Sequence, residues 1–318
     1  MNAQTILVVG GTGMLGQQVA RQLLRDRFEV RLLARDVERA RTVLGPNFDY
    51  FAGDVDTPDA IERALEGCAG VHVNLRGGSD PDELDRIEHR GTARVAELAA
   101  EQGVSQLTYL SGMLVDEHAE IPGDRAKFRA ELAIHRSGIP YTIFKPTYFM
   151  ETLPRHIQGR VGIVLGRQPH PLHLVAASDF ARMVSRSFRT PEAANQHFFV
   201  QGPEAITIPD ALRLYCSLVG SGKRVVSMPL GFMSLVDALF MRGELRSTLQ
   251  LMRVMQRVGE RGDPSEANEV LGAPTTTLRR WCEKQQARSL SSTAYPNELV
   301  GRKEEQQTIT GATDFPGQ

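Results

Sequence analysis

Apolar residues in the first half of the chain fall into short dense runs separated by stretches with helical spacing. The runs are TILVVG (5–10), EVRLLAR (29–35), FDYFAGD (48–54), GVHVNL (70–75), SQLTYLSG (105–112) and PYTIFKP (140–146). Between them lie MLGQQVARQLLRDR, VERARTVLG, TPDAIERALEG, ELDRIEHRGTARVAELAAEQG and RAKFRAELAIHRSG, in which apolar positions recur every three to four residues. Strands separated by helices of this length predict parallel crossover units, and hence an α/β, Rossmann-like doubly wound sheet.

The rhythm changes after Pro146. Residues 147–175 mix short apolar pieces with Gly, Pro and His; DFARMVSRSF and PDALRLYCSLVG predict helices, and HFFVQG and AITI short strands. A helical stretch is expected over 229–260, and a short late helix over 275–285 with Thr275 or Thr276 as N-cap. We therefore divide the chain into a dinucleotide-binding domain (1–150), a smaller substrate-side segment interleaved with it (151–286), and a polar, aliphatic-poor tail (287–318) expected to be disordered.

Composition narrows the function classes. Lys and Arg total 37 against 38 Asp and Glu, which gives no general attraction to nucleic acid, so no nucleic-acid partner is expected. Cys68, Cys216 and Cys282 lie far apart without CxxC or CxxH spacing, which predicts reduced thiols, no sequence-local metal site and a cytoplasmic protein. The N-terminus has neither the basic n-region nor the long h-region of a secretory signal. The longest apolar run, MPLGFMSLVDALFM (228–241), is too short to cross a bilayer; a buried helix is the expectation and a membrane-surface element the alternative.

The candidate chemistry begins at VVGGTGMLGQQVA. Gly10, Gly13 and Gly16 follow a strand and open a helix, as a pyrophosphate-binding loop requires. Gly10 permits the turn, Gly13 allows close approach of the phosphates, and Gly16 lets the helix pack on the strand. The amides of Thr12, Met14 and Leu15 are then expected to face the pyrophosphate. At the end of the second strand, Arg35 stands where an acidic residue binds the ribose of NAD. A guanidinium there suits a 2′-phosphate, which favours NADP, with NAD as the alternative if the neighbouring Asp36 occupies the position instead. Asp54 and Val55, ending the third strand, are candidates for the adenine, although Asp54 is equally placed to cap the following helix. Asn74 and Leu75 open a glycine-containing loop after the fourth strand, where Arg76 is either a substrate-facing cation or a solvated charge.

These motifs, taken in order from residue 5 to about 285, resemble the short-chain dehydrogenase/reductase superfamily, and specifically its atypical NmrA-like, NAD(P)H-binding branch. GGTGMLG resembles the family's glycine loop, EHRGTARVAELAAEQGVSQLTYLSG its fourth helix and fifth strand, and AKFRAELAIHRSGIPYTIFKPTYFMET its lysine helix, sixth strand and aromatic turn. The resemblance implies a Ser-Tyr-Lys catalytic group. Ser111 and Lys127 match two of its members, but the tyrosine position, four residues before the lysine, holds Gly123. Relatives similar to isoflavone reductase are thought to use the lysine as acid or base, and desolvation beside a cofactor is expected to bring its pKa toward working range. The alternative for Lys127 is a surface pair with Glu131, and for Ser111 a bond to backbone. Pro146, Thr147 and Phe149 match the turn that borders the nicotinamide in the family, with Lys145 in place of its usual arginine. Tyr109 is expected to be a packing residue, and His156, His170 and His173 loop or surface residues.

The resemblance implies NADPH-dependent reduction of a small organic substrate such as a quinone, an enone or an activated carbonyl. The alternative is a non-catalytic dinucleotide sensor or assembly factor working through a protein partner. A peripheral membrane surface is a third candidate partner, and the sequence leaves the oligomeric state open.

Overall fold

The computed structural model describes residues 4–219, 222–240, 243 and 245–294. Strand and helix alternate as expected: β1 (Thr5–Val9), α1 (Gly16–Arg25), β2 (Glu29–Ala34), α2 (Val37–Leu44), β3 (Asp49–Ala52), α3 (Pro58–Leu65) and β4 (Gly70–Val73). The long fourth helix is a composite of α4 (Pro81–Leu84), a π-helical stretch at Asp85–Gly91 and α5 (Thr92–Glu101). Then come β5 (Gln106–Leu110), α6 (Pro122–Ser137) and β6 (Tyr141–Pro146). The remainder forms β7 (Ile157–Gln158), β8 (Val161–Leu165), β9 (Leu172–His173), α7 (Ala177–Ser187), β10 (Gln196–Val200), β11 (Ala205–Ile206), α8 (Ile208–Leu218) and β12 (Arg224–Met228). Four helices end the described chain: α9 (Leu230–Phe240), α10 (Arg246–Val258), α11 (Ser265–Leu271) and α12 (Leu278–Ala294).

Seven parallel strands form the main sheet in the order β10-β6-β5-β4-β1-β2-β3. The order reverses between β1 and β4, and in such sheets the crevice beyond the strand ends at this point is where ligands bind. Strand periodicity builds two cores: Ile6 and Val8 pack with α1 and α7 on one face, while Leu7 and Val9 pack with α3, α5 and α6 on the other. A third apolar cluster joins Met113, Leu114 and Ile121 to residues of α8, α10 and α12. Residues 151–286 also supply β10 and α7 to the sheet and its covering layer, so this segment is interwoven with the first.

Three expectations need correction. The late helix begins at Leu278, where Thr277 Oγ1 accepts from Arg280 N at 3.3 Å; the amides of Thr275 and Thr276 instead donate to Asp179. That helix continues to Ala294, into the stretch expected to be disordered, because nothing stops it before Pro296; residues 295–318 lie outside the described residues. Finally, α9 is not a buried helix: Asp237 is its sole buried residue. The 229–260 stretch breaks between α9 and α10 at Gly243, which has φ +85°.

Candidate functional site

β1 delivers the chain to Gly10 at the topological switch point. Gly10 has φ +84°, and a Cβ there would lie 2.0 Å from the Asn74 carbonyl oxygen; a Cβ on Gly16 would lie 2.2 Å from the Gly10 carbonyl oxygen. Both positions therefore exclude a side chain, the first by conformation and contact and the second by contact alone. Gly13 N donates to Gly10 O at 3.1 Å, which closes the turn. Thr12, Gly13 and Met14 are exposed, Leu15 and Gly16 follow, and α1 starts without a side-chain cap. An exposed glycine turn running into an uncapped helix is a cradle that fits a diphosphate, whose oxygens can accept from the first amides.

Arg35 is exposed directly beyond β2, and Asp36 is committed elsewhere: its Oδ1 accepts from Arg39 N at 2.9 Å and caps α2. Asp54 Oδ1 accepts from Val55 N at 2.6 Å, and α3 has no side-chain cap, so Asp54 is not a helix cap. Asn74 N donates to Val9 O at 3.0 Å, carrying Leu75 past the glycine turn, and Arg76 is exposed. Two of the expected cofactor residues turn inward instead. Val55 is buried beneath Gly91, and the buried Phe149 ring lies 5.5 Å from that of Phe180. Each is apolar and packs in a core cluster between the sheet and its helices. Pro146 closes β6 in register with Val200, and the buried Thr147 donates its amide to Val200 O at 3.0 Å.

The Ser-Lys block is a buried network of two carboxylates and two lysines. Lys127 Nζ donates to Leu110 O at 3.0 Å, lies 3.4 Å from Glu88 Oε2, and stands 5.4 Å from the Tyr109 ring centre. Burial alone would lower its pKa, but Tyr109, Glu88 and Asp124 outweigh burial and raise it above the ordinary lysine value. The surrounding network thus favours the ammonium form of Lys127. Its partner is Glu88 and not Glu131. Glu131 accepts a short hydrogen bond from the Ser111 hydroxyl and pairs with Lys145 at 3.1 Å. Ser111 is thus tied to a carboxylate, in place of the backbone partner expected for a structural serine. Glu88 also accepts from Gly77 N at 2.8 Å, linking the lysine to the loop that follows β4.

Glu88 was not among the sequence candidates, and Glu131 entered only as a surface partner for Lys127. The available signal was their place on apolar helix faces: Glu88 falls in the row Leu84, Glu88, Thr92 and Val95, and Glu131 sits beside Ala130 and Ile134. Tyr109 is fully buried, with its pKa raised by burial, in keeping with a packing role. A Cβ on Gly123 would meet only Leu84, at 3.9 Å, so the missing tyrosine leaves a position with room for a side chain.

A cleft of about 200 Å³ opens beside this block, between the 114–124 stretch and α10. Asp116, Asp124, Val254 and Arg261 help line it, and Arg261 pairs with Asp116 across it at 3.0 Å. Asp124 lies in the first turn of α6, one turn before Lys127. Burial, reinforced by the carboxylates of Glu88 and Asp116 and opposed by Lys127, lifts its pKa to about 6. The histidines take no part: His156 bonds Tyr148 and Ile163 O, His173 bonds Glu260, and His170 packs at Gly259. Among the described residues, no cluster of His, Cys, Asp and Glu could hold a metal ion.

A family model described as NAD(P)H-binding matches residues 10–191, from the glycine turn through the sixth strand and α7. The chain belongs to this NAD(P)H-binding family. The chain is similar to the NmrA-like family domain-containing oxidoreductase himF of Aspergillus japonicus, 26% identical, with 98% of this chain and 97% of that protein covered. It is also 27% identical to the photosystem II assembly factor Ycf39 of Trieres chinensis, covering 74% of this chain and 76% of that one. Among solved structures, the NADPH complex of an NADPH-dependent quinone oxidoreductase from Escherichia coli superposes with TM-score 0.69 at 19% identity, over 88% of this chain and 99% of that chain. That likeness establishes the shared fold.

Proposed function

We propose that the protein is a cytoplasmic, NADPH-dependent reductase of a small conjugated acceptor, a quinone, an enone or an activated carbonyl. The observation that carries this reading is the Asp124 carboxyl, which opens into a cleft beside the Lys127 block and holds a proton at mildly acidic pH. The bound cofactor would supply a hydride to the acceptor, and the reduced oxygen then needs one proton. Lys127, kept cationic by Glu88, is suited to hold a ribose hydroxyl or an anionic oxygen and unsuited to shuttle a proton. Asp124 is suited to donate one, filling the role that a tyrosine at 123 would have had. Arg35, free of Asp36, is the residue proposed to favour the 2′-phosphate of NADP.

Steady-state NADPH oxidation with a panel of quinones, enones and aldehydes tests the reading. Turnover should fall as pH rises through about 6, the point at which Asp124 gives up its proton. Asp124→Asn should lower kcat by roughly 10²-fold and remove that pH dependence, at unchanged NADPH affinity. Tight NADPH binding without turnover of any acceptor would instead favour a dinucleotide-dependent assembly role, the reading supported by the similarity to Ycf39.

A further inference from the structure

The α9 helix leaves a large apolar surface uncovered while burying a carboxylate. Its polar side chains face the protein: Asp237 is buried and accepts from Leu245 N at 2.9 Å, while Ser234 donates to Leu230 O at 2.8 Å and receives a hydrogen bond from Arg253. Leu230 and Met233 pack on the apolar cluster shared with α8, α10 and α12, but four large apolar side chains face out, with Phe232 53%, Leu235 57%, Leu239 65% and Phe240 78% exposed. Residues 232, 235 and 239 recur at helical spacing and form one stripe, with Phe240 extending it at the C-terminal end. A soluble helix normally turns polar side chains to water, and four large apolar groups left together there mark a surface that is covered in use.

The charges beside the stripe say what covers it. Arg246 opens α10 after α9, and Arg253 on α10 reaches back to Ser234 of α9; neither is paired with a carboxylate among the described residues. The only charged residue described within α9 is the buried Asp237. An apolar stripe flanked by unpaired cations is the pattern of a helix that lies in the headgroup region of an anionic membrane. With 11 residues, α9 is far shorter than a bilayer is thick, and among the described residues no helix is long and apolar enough to cross one. A second copy of the chain is a poor cover, because two-fold packing of this face would bring the same cations toward each other.

We propose that α9 docks the protein on the surface of a bilayer containing anionic lipid, with Phe232, Leu235, Leu239 and Phe240 inserted at the level of the headgroups and the flanking cations on lipid phosphates. This inference is independent of any turnover. It is tested by co-sedimentation of the full chain with vesicles of phosphatidylcholine alone and of phosphatidylcholine mixed with phosphatidylglycerol. The mixed vesicles should bind the protein at least about tenfold more tightly, and raised salt should weaken that binding. The double variant Phe232→Ser, Leu239→Ser should lose about tenfold or more in partitioning to mixed vesicles. Both side chains are already exposed, so the variant should keep its circular dichroism spectrum and NADPH affinity. Arg246→Gln with Arg253→Gln should abolish the preference for anionic lipid. The proposal is overturned if the wild-type chain ignores mixed vesicles, if the serine variant binds them equally well, or if light scattering shows an oligomer that the serine variant dissolves.

Discussion

His72 shows how completely one position can be governed by its strand. It sits in β4 between strands on either side, fully buried, with Nδ1 2.8 Å from Thr108 Oγ1 and its ring 6.2 Å from that of Phe180. Burial lowers its pKa from 6.5 to about 3, so the folded protein holds it neutral where the unfolded chain would protonate it. The stability this contributes is complete above pH 6.5 and drains as the pH falls toward 3, at roughly 1.4 kcal/mol per pH unit. His72→Gln should therefore flatten the acid limb of a urea-denaturation series between these pH values; an unchanged slope would mean that other groups dominate. Asp124 works in the opposite sense. Its raised pKa makes stability fall as pH climbs from 3.8 to about 6. At this scale the glycine turn was legible, since Gly10 and Gly16 stand where strand, turn and helix demand them. Glu88, Glu131 and Asp124 were not, because the inward face of a helix is set by its tertiary neighbours and a carboxylate there reads as an ordinary surface charge.

The junction of α7 and α12 illustrates what binds the late helices to the sheet. Asp179, buried in the first turn of α7, accepts from Thr275 N at 2.9 Å and Thr276 N at 2.8 Å, ahead of α12. On α12, Trp281 Nε1 donates to Glu151 Oε1 at 3.0 Å. Asp179→Ala would strand both amides, so we expect a loss of about 2–3 kcal/mol and a lower Tm, with Asp179→Asn recovering part of it. A Tm unchanged by Asp179→Ala would show that water replaces the carboxylate. The strands and helices of the first half were readable because each carries its own apolar period. The small sheet formed by β7, β8 and β12 was not, since β12 pairs with β8 in a register that sets Arg224 against Val161, far apart in sequence, and no local pattern announces that partner. The orientation of α9 escaped for a related reason: nearly every position in it is apolar, so periodicity cannot say which side faces in.

For the molecule as a whole, the doubly wound order places the Gly10 turn, the Asn74 loop and the Arg35 side chain along the ends of β1, β4 and β2, which are adjacent in the sheet. A ligand bridging them should stabilise the fold as one unit. NADP at about 100 times its Kd is expected to add about 2.7 kcal/mol, read as a rise in Tm. NAD should do less at equal concentration, and Arg35→Ala should erase the difference between them. Equal shifts with both cofactors in the wild-type chain would refute the assignment of Arg35.

The position of β10 has a further consequence for how the chain is made. Because β10 lies outside β6, the sheet's seventh strand is contributed by Gln196–Val200, long after the first six have left the ribosome. Until then β6 is an open edge, with the backbone groups of Thr142, Ile143, Phe144 and Lys145 ready to pair with a strand from another nascent chain. A polypeptide cut after the last residue of the dinucleotide-binding half would keep that edge permanently, and its fate would be association with its own kind.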